Sequence, residues 1–241
     1  MHRFFCLSEN VTAKEIVILD KEQIHHLKDV LRLKIKDRVG AFDDNSNEYE
    51  CLIKEIKEDQ AILGVLRKKS RAPAKIRLTI ACALPKKAKF DDIVDKLTQL
   101  GVDGIIPLNT KRVIVKIDKK KEVVRLERWR KIAMSAAKQS QRASVPVVGH
   151  LKSIEEVLKE GDYDLKLIPH LSGKRRSLKE AIEKASPKNI LILIGPEGDF
   201  TDEEVALAVK YGCVPVSLGE LVLRVDTAAI AVASFVRLLK Q

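Results

Sequence analysis

The sequence predicts an α/β protein in two parts: a small β-rich barrel with one helix, then a mostly parallel, doubly wound sheet. Three observations predict it. Short apolar or alternating runs crowd residues 1–70, with a single helical pattern among them. A charged, proline-containing stretch, "RKKSRAPAK" at residues 67–75, breaks that pattern. Beyond it, apolar runs alternate with amphipathic ones, as strands alternate with helices around a parallel sheet. The domains expected are 1–70 and 71–241, and a chain of 241 residues has enough apolar content to give each a core.

In the first part, "RFFCL", "EIVIL", "DRVGAF", "YECLIKEI" and "AILGVL" are apolar or alternating runs bounded by polar turns, and each reads as a strand. Between them "KEQIHHLKDVLRL" places Ile24, Leu27, Val30 and Leu31 at helical spacing. In the second part, "IRLTIACAL" is continuous enough for a fully buried strand. "KFDDIVDKLTQLG" follows as a helix with Phe90, Ile93, Val94, Leu97 and Leu100 on one face, closed by Gly101. "VDGIIPL" reads as a strand and "KEVVRLERWRKIAMSAAKQSQ" as a long basic helix. Then "YDLKLIPHL", "SLKEAIEKA", "NILILIG", "TDEEVALAVKYG", "CVPVSLG" and "DTAAIAVASFVRLLK" continue strand, helix, strand, helix.

Charge narrows the function. The net charge of +11 is unevenly placed. Residues 1–70 hold 13 basic and 13 acidic side chains and residues 161–241 hold 11 of each, whereas residues 71–160 hold 21 against 10. A basic excess confined to the middle of the chain points to a polyanion, most often nucleic acid, although a lysine-rich solvated face is the plainer reading. Cys6, Cys51, Cys82 and Cys213 are far apart with no C-x-x-C, which indicates reduced core cysteines and neither a zinc site nor a disulfide framework. No apolar run reaches membrane-spanning length and "MHRFFCLSEN" lacks a signal peptide's apolar region, so a soluble, cytoplasmic protein is expected.

Ligands of open parallel sheets sit outside the carboxyl ends of the strands. Two such ends carry chemistry: Gly195-Pro196-Glu197-Gly198, followed by Thr201 and Glu204 at capping-box spacing, and "SLGELVLRVDTAA", where Gly219 ends a strand. Neither loop matches G-x-x-x-x-G-K-[ST] or G-x-G-x-x-G. Glu197 and Asp199 would repel phosphate, so a ligand with a cationic centre and a flat ring suits these glycine turns better. The bland alternative is that the glycines only turn the chain and the acids complement a helix dipole.

Five motifs in order then carry a resemblance. "HLKDVLRLKIKDRV" resembles H-x-x-x-V-L-R, and "KAKFDDIVDKLTQLGVDGIIPL" a lysine-rich entry before K-x-T-E-L-G-V. "AAKQSQRASVPVV" resembles A-x-E-Q-x-x-R-x-x-V-P; "LIGPEGDF" and "LGELVLRVDTAA" resemble I-G-P-E-G-G-F and L-G-x-R-I-L-R-x-E-T-A. The chain is thus similar to the RsmE-like family of SPOUT-class RNA methyltransferases, which methylate N3 of a uridine in 16S ribosomal RNA. Departures fall at Gln99 and Lys138 (family Glu), Asp199 (Gly), Leu221 (Arg) and Asp226 (Glu).

The resemblance implies a PUA-like RNA-binding barrel, a C-terminal deep trefoil knot, S-adenosylmethionine as cofactor and a homodimer whose active site straddles the interface. It places Ile194, Gly195, Glu197, Gly198, Leu218, Gly219 and Leu223 around the cofactor. Because uridine N3 must lose its proton before it attacks, Arg224 is the candidate for stabilising the anionic base, Glu197 the nearest candidate proton acceptor, and Arg32 a catalytic or RNA-contacting arginine. For phosphate contact the candidates are Lys86, Lys87, Lys89, Lys111, Arg112 and Arg142, with His26 holding RNA or else an ordinary partly buried histidine. His25 and His26, being adjacent on a helix, face apart and do not chelate. Trp129 and Phe90 read as core or interface residues rather than as base-stacking platforms. A SPOUT enzyme acting on another RNA, or a non-catalytic dimeric RNA-binding module, are the other functions the sequence allows.

Overall fold

The alternating runs of the first part form five strands, β1 (Arg3–Cys6), β2 (Glu15–Ile18), β3 (Arg38–Asp43), β4 (Asn47–Ile56) and β5 (Ala61–Ser70). The computed structural model describes residues 1–70, 76–85, 90–112, 119–171 and 173–239. Strand order is β1-β3-β4-β5-β2, antiparallel except for β1 with β3. Every second side chain of β1 and β2 points inward, so Phe4, Cys6, Ile16 and Ile18 meet Leu27 and Leu63 in one core.

Among the described residues no ladder joins β1 to β2, so the sheet is a curled half-barrel and not the closed barrel the sequence suggests. Both free edges have other partners. Gln23 accepts from the Phe5 N–H at 2.8 Å and donates to the Phe5 carbonyl at 3.0 Å, capping the outer side of β1. The turn before β2 folds back on it through a bridge between Val11 and Ile16. Edges occupied in this way have no need to close on each other.

The helical segment starts as α1 (Lys21–His25), capped by the Asp20 carboxylate on the Gln23 N–H, and then widens into a π-helix at His26–Val30. This corrects the predicted face. A wider turn advances each residue through a smaller angle, so three steps from Leu27 no longer return Val30 to the core, while four steps nearly close a turn at Leu31. Val30 is accordingly exposed, and Leu31 packs at the core's edge.

The second part runs β6 (Arg77–Ala83), α2 (Phe90–Gln99), β7 (Gly104–Asn109), α3 (Lys119–Gln139), β8 (Val147–Val148), β9 (Lys152–Ser153), α4 (Ile154–Glu160) and β10 (Leu165–Pro169). It continues through β11 (Arg176–Ser177), α5 (Leu178–Ala185), β12 (Asn189–Ile194), α6 (Asp202–Lys210), β13 (Cys213–Ser217) and α7 (Val225–Leu238). All its strands pair in parallel, in the order β11-β13-β10-β12-β6-β7-β8, with β9 also on β7. Gly101 ends α2 with φ +82°, its N–H on Thr98 and that of Val102 on Leu97, as the closing glycine should. In α3, Trp129 is buried against Phe90, with ring centroids 4.6 Å apart, and its indole donates to Asp91 at 3.0 Å; both aromatics are core. The four cysteines are free and buried, and burial pushes the Cys6, Cys51 and Cys213 thiols up to about 12, which leaves them unreactive.

Two compact units result: Met1–Pro73 with Ala137–Val145, and Ala74–Ala136 with Pro146–Gln241.

Candidate functional site

In the second unit β13, β10 and β12 are neighbours and parallel, so their carboxyl ends open on the same side. The loops leaving them enclose a pocket with about 570 Å³ of free space, part of it open solvent. The β12 end contributes Ile194, Gly195, Pro196, Glu197 and Asp199. The β13 end contributes Leu218, Gly219 and Leu221–Leu223, and α7 adds Val225 and Ala228. The third wall, Pro169, His170, Leu171 and Arg175, follows β10. Nothing in the sequence marks this wall, because that loop has no glycine turn at the strand end and its place between the other two depends on strand order.

Six of the seven residues expected around a cofactor line this pocket. Gly198 does not: its carbonyl accepts from Arg112, and an added Cβ there would face the Arg112 side chain at 3.5 Å. Gly195 is needed for close approach, since a Cβ would sit 3.1 Å from the buried Phe200 ring. Gly219 has φ +119°, and the space beside it is open.

The carboxylates in the pocket disfavour phosphate. Glu197 is exposed at its mouth, close enough, with Asp226, to raise the pKa of the Cys82 thiol beyond what burial already does. The following turn is capped by Thr201, and the first turn of α6 carries Asp202, Glu203 and Glu204, so that helix N-terminus is already neutralised. The predicted capping box is present, and Glu204 also accepts the Lys111 N–H at 2.7 Å. The one guanidinium in the lining, Arg175, donates to the His170 carbonyl at 2.8 Å. Apolar walls, two carboxylates and glycine turns suit a flat ligand that is cationic or neutral near Glu197.

Asp199 stands in the left-handed region at φ +63°, which explains why the resembling motif has glycine there. Its Oδ1 accepts from the Phe200 N–H at 2.8 Å and its Oδ2 from the Leu171 N–H at 3.0 Å. His170 Nδ1 lies 2.8 Å from the same Oδ2.

The remaining expected residues are scattered. Arg224 is the exposed N-cap residue of α7, and its side chain makes no capping bond. Arg32 and His26 are both exposed in the first unit, Arg32 with φ +52°; His26 is therefore not the partly buried histidine of the alternative reading. Arg112 Nη1 donates to the carbonyls of Gly198 and Phe200, so this exposed arginine braces the β12 loop. Lys111 lies 3.5 Å from Glu203, and Arg142, half-buried in the first unit, donates to Ser144 at 3.4 Å. Lys86, Lys87 and Lys89 lie outside the described residues. Lys138 is accommodated: burial pushes its pKa down, while nearby Asp20 and Glu22 favour its charged form. Gln99 sits on the surface of α2, bonded to Asp95.

Residues 72–237 match the family described as an RNA methyltransferase domain, and residues 19–66 the family described as an RNA methyltransferase PUA domain. The ribosomal RNA small subunit methyltransferase E of Bacillus subtilis is 32% identical over 95% of this chain and 93% of its own length. That of Rickettsia conorii is 29% identical over 99% and 96%. The crystal structure of a ribosomal RNA small subunit methyltransferase E from Neisseria gonorrhoeae, bound to S-adenosyl methionine, superposes with a TM-score of 0.86 at 27% identity, covering 99% of this chain and 98% of that one.

Proposed function

The chain belongs to the RNA methyltransferase family, among the ribosomal RNA small subunit methyltransferase E proteins, and on that premise we propose that it transfers a methyl group from S-adenosylmethionine to N3 of a uridine in 16S ribosomal RNA. The observation that carries this reading is the pocket at the ends of β10, β12 and β13, which is apolar, glycine-walled and acidic where a nucleotide site would be basic.

The cofactor supplies an electrophilic methyl carbon on a sulfonium. Its apolar and ring portions suit the walls made by Ile194, Leu218 and Leu223. Gly195 seats the β12 turn against Phe200, Gly219 leaves open space for the backbone to approach the ligand, and Glu197 complements its positive charge. Uridine N3 is protonated at neutral pH and attacks only as the anion. Arg224, free at the start of α7, can stabilise charge on the pyrimidine oxygens. Glu197 is the candidate in the pocket for taking the N3 proton, and Arg32 is the candidate from the N-terminal part. Holding the acceptor nitrogen in line with the methyl carbon supplies much of the remaining rate.

The reading assigns residues 1–70 to RNA capture and 71–241 to methyl transfer, in a cytoplasmic homodimer with a trefoil knot in its C-terminal part. Leu221 and Val222, 79% and 71% exposed beside the pocket, support a partner subunit there. The test is incubation of protein and labelled S-adenosylmethionine with deproteinised 16S RNA and with assembled small subunits, followed by mapping of the modified nucleoside. Label at uridine N3 supports the reading; label at another atom, or none in either substrate, rejects it.

A further inference from the structure

The ladder between β10 and β12 ends at Leu167 and Ile192. Beyond that pair, each strand runs on into its own pocket wall without backbone bonds to the other in that ladder. The Asp199 carboxylate bridges this opening. It belongs to the β12 loop, yet it accepts the N–H of Leu171 and lies against the His170 ring, both in the loop after β10. The three side chains all line the pocket. His170 and Asp199 are also well shielded, with side chains 9% and 16% exposed, so bulk water competes little for this contact.

The residue that makes this bridge does so from an unfavourable backbone conformation. At φ +63° a glycine would hold the turn without strain, and the resembling motif has one. Aspartate tolerates the left-handed region better than most residues, partly because its short side chain bonds locally, as it does here to the Phe200 N–H. The strain is thus offset by contacts that only a carboxylate or its amide can make.

We propose that Asp199 is a positioning residue for the cofactor, tying His170 and Leu171 to the β12 turn so that two walls of the pocket stand at binding separation before the ligand arrives. Fixing the walls in advance removes an ordering cost from binding. The proposal rests on the pocket being the S-adenosylmethionine site, and the experiment separates the two claims.

Calorimetric titration of S-adenosylmethionine into the full-length wild type, Asp199→Gly and Asp199→Asn is paired with hydrogen exchange at the Leu171 amide in the cofactor-free proteins. Asp199→Gly relieves the strained φ, so the turn persists while the bridge is lost. Its affinity should fall about tenfold, the lower range for losing a charged hydrogen bond. Its Leu171 amide should exchange faster. In turnover, KM for the cofactor should rise while kcat changes little. Asp199→Asn keeps an acceptor for the Leu171 N–H and tolerates the same φ, so it should recover part of both affinity and protection. Adding His170→Ala to Asp199→Gly should cost less than His170→Ala costs alone, because the pair acts as a unit. Wild-type affinity in Asp199→Gly, unchanged Leu171 exchange, or additive losses in the double variant would each overturn the proposal. A wild type that does not bind S-adenosylmethionine would instead reject the cofactor reading beneath it.

Discussion

Gly219→Ala isolates backbone geometry at the pocket from every other effect. The residue has φ +119°, and an added Cβ would meet nothing within 4 Å, so the substitution acts through strain alone. A non-glycine residue in such a region costs on the order of 1–3 kcal/mol. The β13 loop is weakly held there: Ser217 Oγ accepts the Gly219 N–H at 3.2 Å and donates to its carbonyl at 3.1 Å, and residues 219–222 are exposed. Relaxing the loop therefore costs less than keeping the strain, and relaxation carries Leu218 and Leu223 away from the pocket. If the full strain must be restored on binding, S-adenosylmethionine affinity falls roughly 5- to 150-fold. Isothermal calorimetry reads that loss, and thermal unfolding should change little. Gly212→Ala is the matched control, because Gly212 has φ +84° and equally open surroundings, but follows α6 and lies outside the pocket lining. Gly195→Ala is less clean, since its Cβ would press on Phe200 and disturb the core. Equal binding by Gly219→Ala and the wild type, or equal losses in Gly219→Ala and Gly212→Ala, would refute the reasoning.

Arg224→Ala should slow methyl transfer by roughly a hundredfold, the usual scale for removing one donor to a developing oxyanion, while cofactor affinity holds. Raising the pH should restore part of the rate if the arginine's task is to favour loss of the N3 proton; near-wild-type turnover at saturating RNA would pass that role to Arg32 or Glu197. Asp43 governs acid stability in the first unit. Burial pushes its carboxyl up, but bonds from Asn47, Tyr49 and Asn45 outweigh this and hold it below the usual range. Because the folded value is depressed, its contribution is fully present above the unfolded carboxyl's pKa of about 3.9 and is lost as pH falls below it. Asp43→Asn should thus destabilise by about 1–3 kcal/mol at pH 7 and progressively less as pH falls from about 4 through the depressed folded value in denaturant titrations; a loss independent of pH over that window would contradict this.

The sequence carried the long elements well because their signals are local. "NILILIG" can hardly be other than a buried strand, and Thr201 with Glu204 announced both a helix start and the bonds that make it. A capping box of the same kind at Ser153 and Glu156 starts α4, and was there to be read. β8, β9 and β11 are two residues each, too short for any periodicity. The site was legible only where glycine marked it. His170 and Arg175 are invisible without knowing that β10 lies between β12 and β13. The bracing role of Arg112 was hidden because its partners are backbone carbonyls, which have no letter in the sequence. The π turn was equally hidden, since Val30 and Leu31 are both apolar and only the geometry decides which one packs.

The interleaving of the two units bears on how the chain assembles as it is made. Translation delivers β1–β5 early, yet their unit also requires Ala137–Val145, which emerge only after β6, β7 and most of α3 have been synthesised. A fragment cut at residue 73 would lack part of its own unit. The second unit waits longer still: Arg77 pairs with Asn189, so one edge of β6 stays open until β12 appears, and α7 follows last. Distant parallel pairings of this kind form slowly and leave strand edges exposed in the interval. The pocket walled by the ends of β10, β12 and β13 and by α7 is among the last features of the molecule to exist.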